Sequence, residues 1–193
     1  MKKMPTLFQR EFAENHKVII HNKVSPGCEW VLSGEGIATR KVDGTCTMVQ
    51  DGAFFRRYDA KNGKPIPQNA IPCQDAPDPV TGHLPCWLPV DPADKGNKWF
   101  VEAFEREKPL PDGTYELCGP HFQGNPEHLE KDTLIRHGSI VLQDVPRTFE
   151  GIREYLRTHE MKGIVFHRGN GEMCKIKRTD FQFSWNHATV KRK

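Results

Sequence analysis

Hydrophobic and polar positions alternate in short runs between residues 18 and 58. The runs "KVIIHN", "EWVLSGEGIATRKVDGTCTMV" and "AFFRRYDA" read as strands broken by tight turns, because a strand sends successive side chains to opposite faces. Gln50-Asp51-Gly52 has the chemistry of a hairpin turn. From 61 to 97 the alternation stops. More than half of the fifteen prolines fall in this zone, which predicts a long loop of a functional or mobile kind. From 98 to 183 helical and strand periods take turns. "KWFVEAFEREK" puts Trp99, Phe100, Ala103 and Phe104 on one helical face. "TFEGIREYLRTH" does the same with Phe149, Ile152, Tyr155 and Leu156, behind Thr148 as cap. "GTYELCG" and "SIVLQDV" read as strands, and Asn125-Pro126 as the start of a short helix. "KGIVFHR" and "MCKIKRTDF" form a hairpin across "GNGE". The whole predicts a single α+β domain over 1–193, with mostly antiparallel strands.

Composition narrows the class. The chain has 193 residues, enough for one domain with a real core. Charged residues make up 27% and the hydrophobic set 36%, the balance of a globular protein rather than a disordered one. No apolar run approaches the ~18 residues needed to span a bilayer. "MKKMPTLFQREF" lacks the apolar segment of a secretory signal. A cytoplasmic protein is expected, with no membrane contact and no obligatory protein partner in evidence. The six cysteines, at 28, 46, 73, 86, 118 and 174, are scattered without a CxxC, as reduced thiols would be. Cys73, His83 and Cys86 match no familiar zinc spacing and lack an obvious fourth ligand. A net charge of +3 permits a nucleic-acid partner without demanding one.

Candidate chemistry centres on lysines. Lys41 precedes an Asp-Gly turn, and strand alternation puts Lys41 and Asp43 on one face with Val42 on the other. Lys175 and Lys177 share a face with Ile176 opposite. Two ammonium groups two residues apart repel, and a phosphate is the natural anion to bridge them. Should Lys41 face the same pocket, those cations would lower its pKa toward the neutral form a nucleophile needs. The set suggests a lysine attacking the α-phosphate of a nucleotide.

The order of these elements, Lys41-Val42-Asp43-Gly44 early, a glutamate-bearing strand in mid-chain, "GIVFH" and then Lys175-Ile176-Lys177 late, resembles the covalent nucleotidyltransferases. These are the ATP-dependent DNA and RNA ligases and the mRNA capping enzymes. The resemblance covers about residues 30–181, and "TYELCGPHFQGNPE" is most similar to the RNA-ligase branch. It implies the ligase adenylation fold and a lysyl-AMP on Lys41, within KxDG, where Asp43 and Gly44 also meet the nucleotide. It further implies that Glu116 holds the ribose hydroxyls and that Lys175 and Lys177 act on the phosphates. Arg57, ahead of Arg56, would hold the substrate end or a nucleotide phosphate, and Ile140 or Leu142 would face the adenine. His121 would lie near the nucleotide if Glu116 does. The implied activity is ATP-dependent joining of RNA ends, a 5′-phosphate to a 3′-hydroxyl, with Mg²⁺ or Mn²⁺ as cofactor. A DNA ligase, a guanylyltransferase and a non-catalytic nucleotide- or RNA-binding module are the alternatives.

The sequence departs from the family at two points. The late motif normally reads Glu-Gly, the glutamate helping to place a metal. Here it is Lys162-Gly163, with Glu160 two residues earlier. Three readings stand: Glu160 takes over the metal role, Lys162 itself replaces the metal's charge, or the site is impaired. The chain also ends 16 residues after Lys177, where many ligases add a further domain. A minimal, single-domain enzyme is therefore expected. The closing "VKRK" reads as a basic tail with non-specific attraction to phosphate.

Overall fold

The computed structural model describes residues 1–14, 17–61, 63–79 and 81–185. The tail at 190–193 lies outside these. Among the described residues the strands are β1 (Phe8–Phe12), β2 (Val18–Val24), β3 (Ile37–Lys41), β4 (Thr45–Gln50), β5 (Ala53–Ala60), β6 (Ile71–Pro72), β7 (Leu84–Pro89), β8 (Gly113–Cys118), β9 (Thr133–Arg136), β10 (Gly163–His167) and β11 (Met173–Lys177). The α-helices are α1 (Glu29–Leu32), α2 (Lys98–Glu107) and α3 (Phe149–Thr158). The class is α+β, and every strand pair is antiparallel. No helix among the described residues is long and apolar enough to cross a membrane.

The chain forms two compact units. Of the described residues, the first comprises Met1–Lys3 and Asp43–His137; the second comprises Met4–Val42 and residues 138–185. The boundary falls inside KVDG, with Lys41 and Val42 on one side of it and Asp43 and Gly44 on the other.

The first unit is built on a six-stranded sheet in the order β6-β7-β5-β4-β8-β9. One face carries Val49, Phe54, Tyr115, Leu117 and Leu134, which with Ala103 and Phe122 make its core. Helix α2 lays Trp99, Phe100 and Phe104 against this core. Phe104 stacks on Phe54 with ring centroids 4.6 Å apart, and Phe100 meets Phe122 edge-on at 5.0 Å. Burying each such aromatic or aliphatic side chain is worth roughly 1.5–3 kcal/mol. The β4–β5 hairpin turns on Asp51 and Gly52, both at positive φ, as expected for this dipeptide.

The second unit holds the pair β1-β2 and the three-stranded sheet β11-β10-β3. Its core gathers Leu7, Phe8, Val31, Ile152, Leu156, Ile164, Phe166 and Ile176. Helix α3 starts where Thr148 accepts a hydrogen bond from the Gly151 amide, and it buries Ile152 and Leu156 completely. The segment before β1 covers the free edge of β11: the Leu7 amide donates to the Lys175 carbonyl and the Lys175 amide to the Pro5 carbonyl.

Several local expectations need correction. "EWVL" is helical, not a strand: α1 follows the Pro26-Gly27 turn and buries Trp30 and Val31 together. Residues 61–97 are not all loop, since β7 runs along β5 over six register pairs. Prolines remove donors but keep acceptors, and the Pro85 carbonyl still takes the Cys73 amide. Asn125-Pro126 starts no helix. Gln123, Asn125 and His128 all sit at positive φ, and the Asn125 side chain exchanges hydrogen bonds with the Leu129 backbone. "SIVLQDV" is not a strand either. It touches β3 through a single bridge, Thr39 to Val141, before Asp144 turns the backbone left-handed.

Candidate functional site

In the second unit, register brings the lysines together. Lys41 pairs with Gly163 across β3 and β10, and Gly163 pairs with Lys177 across β10 and β11. Thr39, Val165 and Lys175 form the neighbouring row. Directly opposed residues share a face, and so do residues two apart on a strand. Lys41, Lys175 and Lys177 therefore occupy one face of this sheet. Ala38, Ile164, Phe166, Cys174 and Ile176 occupy the other and enter the core. Gly163 is required where it stands, because an added Cβ would lie 2.3 Å from the Ile176 carbonyl oxygen.

The charge on this face is partly balanced. Asp180 is fully buried. It accepts a hydrogen bond from Arg10 at 3.1 Å and one from the Lys177 amide at 2.8 Å, and its carboxylate stands 3.9 Å from Lys177 Nζ. Lys175 feels the uncompensated part. Burial first, and then Lys41, Lys177 and Arg10, pull its pKa down to about 8, against the opposing pull of Asp180. Sequence patterning does not single out Asp180 or Arg10. The available signal for the first is an aspartate three residues after the second lysine of KxK, where it caps a 3-10 turn. Arg10 is far from it in sequence and offers no signal.

The alternation expected from Lys41 to Asp43 does not hold, because β3 ends at Lys41. Asp-Gly makes no hairpin: β3 pairs with β10, and β4 pairs with β5 and β8. Asp43 is buried and its amide donates to Glu127 at 2.8 Å. The Gly44 amide donates to Glu116 at 3.0 Å. A Cβ on Gly44 would meet the Leu117 carbonyl oxygen at 2.3 Å, so close approach, not a left-handed backbone, demands glycine.

Glu116 stands on the face of the six-stranded sheet opposite the core. Cys46 is its register partner on β4. Its second carboxylate oxygen is 2.9 Å from His137 Nε2, and His137 Nδ1 is 2.9 Å from Thr114 Oγ1. Arg57 lies on the same side by alternation, whereas Arg56 falls on the core side beside Phe54. The Arg57 guanidinium bonds Asp59 at 2.8 Å and the Met1 carbonyl at 2.7 Å. His121 bonds Asp132 at 2.7 Å and stacks on Trp99, with ring centroids 3.5 Å apart. Glu127 closes the stretch "TYELCGPHFQGNPE", but nothing in that stretch assigns it a role, and His137 belongs to no legible motif.

Ile140 and Leu142 are divided by the irregular backbone. Leu142 packs against the core of the second unit, while Ile140 is exposed. Glu160 is exposed in an irregular stretch that ends where β10 begins at Gly163, so it shares no strand face with Lys162. Among the described residues, the set of three or more His, Cys, Asp and Glu ligand atoms lying within 4.8 Å of one another is Cys46, Glu116 and His137. Glu160 is not in it.

No protein-family model matches the chain. Among curated proteins it is similar to RNA ligase 1 of Rattus norvegicus, 26% identical over 167 residues that take in 67% of this chain and 47% of that protein. To RNA ligase 1 of Pongo abelii it is 24% identical over 269 aligned residues, 95% of this chain and 82% of that protein. To RNA ligase 1 of Danio rerio it is 25% identical over 162 residues, 67% of this chain and 46% of that protein. The chain thus spans about half the length of the rat and zebrafish relatives. The chain is thus similar, at about a quarter identity, to proteins named RNA ligase 1.

Proposed function

We propose that the chain is an ATP-dependent RNA ligase of the covalent nucleotidyltransferase type, with Lys41 as its nucleophile. The observation that carries this reading is the register Lys41–Gly163–Lys177, with Lys175 in the next row. A cationic face built around one early and two late lysines suits a triphosphate, and the similarity to proteins named RNA ligase 1 supports RNA as the substrate class.

In the first step the neutral Lys41 amine attacks the α-phosphorus of ATP. An N–P bond forms, the bond from that phosphorus to the bridging oxygen breaks, and pyrophosphate leaves while the amine proton goes to solvent. Lys175 and Lys177 stabilise the charge that moves onto the leaving oxygens. Next, an oxygen of the RNA 5′-phosphate attacks the lysine-bound phosphorus. The N–P bond breaks, Lys41 is restored and the RNA carries a 5′-adenylate. The 3′-hydroxyl then attacks the RNA phosphorus, AMP leaves and a phosphodiester remains. Glu116 accepts hydrogen bonds from the ribose hydroxyls, Asp43 and Gly44 line the nucleotide, and Arg57 holds a phosphate. A divalent cation, Mg²⁺ or Mn²⁺, would supply charge neutralisation at the triphosphate, with Glu160 as the candidate to hold it.

The deciding experiment is the intact mass of the protein after ATP and a divalent cation. One added AMP, mapped to Lys41, supports the reading; an unchanged mass, or AMP on another residue, overturns it. One residue favours a second reading. Lys162 stands where the resembled family has a carboxylate, which would suit a nucleotide- or RNA-binding module without turnover. In that case ATP binds and the mass stays unchanged.

A further inference from the structure

Cys46, Glu116 and His137 come from three neighbouring positions of one sheet face. Cys46 on β4 is directly opposite Glu116 on β8. His137 follows β9 and its amide donates to the Thr114 carbonyl, which sets it beside Thr114 and two residues from Glu116 along the same face. Their Sγ, carboxylate oxygen and ring nitrogen atoms all lie within 4.8 Å of one another. Glu116 is buried and the other two are half-buried. We propose that these three side chains form a binding site for a thiophilic divalent cation of the zinc class, and that its occupation competes with the nucleotide.

The donor chemistry selects the ion. One thiolate, one imidazole and one carboxylate suit Zn²⁺ or Co²⁺ and disfavour Mg²⁺. Three protein ligands leave a fourth position for water, as in exchangeable rather than structural sites. The second shell is already in place. Thr114 Oγ1 sits 2.9 Å from His137 Nδ1 and can accept its N–H, leaving Nε2 to bind the metal. The Gly44 amide donates to the other oxygen of Glu116. Without metal, His137 Nε2 and Glu116 share a hydrogen bond of 2.9 Å. On binding, the proton of Cys46 leaves to solvent, the imidazole proton resides on Nδ1, and the new bonds are S–M, Nε2–M and O–M. The charges of one thiolate, one carboxylate and a dication cancel, and affinity rises with pH as the thiol ionises.

The competition rests on the reading that gives Glu116 the ribose hydroxyls; the metal site itself does not. Metal binding is therefore measured on the full chain without nucleotide, by titration against a chromophoric chelator. The expected result is one Zn²⁺ per chain, with binding lost in Cys46→Ser and weakened about 10–100-fold in Thr114→Val, which removes the acceptor for His137 Nδ1–H. X-ray absorption at the zinc edge of the unmutated protein should show one sulfur at about 2.3 Å with nitrogen and oxygen at about 2.0 Å. Absence of stoichiometric binding, equal binding by Cys46→Ser, or two or more sulfurs around the ion would overturn the site. The competition is tested by ATP-analogue binding with and without Zn²⁺. A site that binds Zn²⁺ while leaving nucleotide affinity unchanged overturns the competition and removes Glu116 from the ribose.

Discussion

Lys41 and Lys177 are register partners of the same residue, Gly163, and so flank it on one face of the β3-β10-β11 sheet with no side chain between them. Their α-carbons stand roughly 10 Å apart, twice the ~4.8 Å spacing of strands. Gly163 places no side chain in that interval.

Lys41→Ala should abolish transfer of label from α-labelled ATP to the denatured protein, and with it all sealing of 5′-phosphate ends. Lys41→Arg should be equally inert, since guanidinium stays protonated at working pH. Label retained by either variant removes Lys41 from the chemistry.

Lys175 is a stability prediction as well as a catalytic one. Its pKa falls from 10.5 to about 8 on folding. Between those values the unfolded chain holds a proton that the folded protein has released, so stability rises with pH through that window. Below about 8 the charged side chain costs its full penalty. Lys175→Met should stabilise the protein at pH 7 by up to about 3 kcal/mol, and the gain should fade toward pH 10.5. Urea unfolding at the two pH values checks it; an equal gain at both would show that packing, not charge, is responsible. The same variant should slow self-adenylylation about 10²-fold, with ATP binding affected less.

Gly163→Ala should destabilise the second unit and impair adenylylation together. The new Cβ would be 2.3 Å from the Ile176 carbonyl oxygen and 2.9 Å from the Lys177 α-carbon, so β10 and β11 must separate. Overpacking of this kind costs roughly 1–3 kcal/mol. Thermal unfolding at the wild-type midpoint is the measurement; an unshifted midpoint would mean that the strands accommodate the methyl group.

Glu116→Ala should erase any preference for ATP over 2′-deoxy-ATP. A ratio of two nucleotides is insensitive to the share of protein that folds, so it separates ribose recognition from the structural loss of the Gly44 and His137 partners. A preference kept in full would place the ribose elsewhere.

Lys162→Glu tests the departure from the resembled family. A carboxylate there would draw in the divalent cation that accompanies ATP, where an ammonium repels it. Single-turnover self-adenylylation should accelerate, while sealing of pre-adenylated RNA changes less. A rate that stays level or falls makes Lys162 an adapted part of the protein.

Much of this molecule is legible along the chain because its determinants are local. Helices α2 and α3 follow from a 3.6-residue period and, for α3, a threonine cap. Gln50-Asp51-Gly52 turns because its residues tolerate positive φ. KVDG and KIK stand at readable positions, and alternation alone assigns Arg57 and Arg56 to opposite faces. Short segments whose backbone is set by distant partners are not legible in that way. "SIVLQDV" has strand composition yet finds one bridge partner, and "LPCWLP" joins a sheet despite its prolines because β5 and β6 supply matching groups. The Arg10–Asp180 pair and the Cys46–Glu116–His137 cluster have no sequence signature, since each joins residues remote along the chain. Local periodicity and turn chemistry thus singled out the lysines, while the resemblance to a known family pointed to the glutamate. Only strand register decided that Lys41 and Lys177 share Gly163 and that Glu116 meets Cys46 and His137, because register depends on how whole strands bury their apolar sides, which no short stretch of sequence encodes.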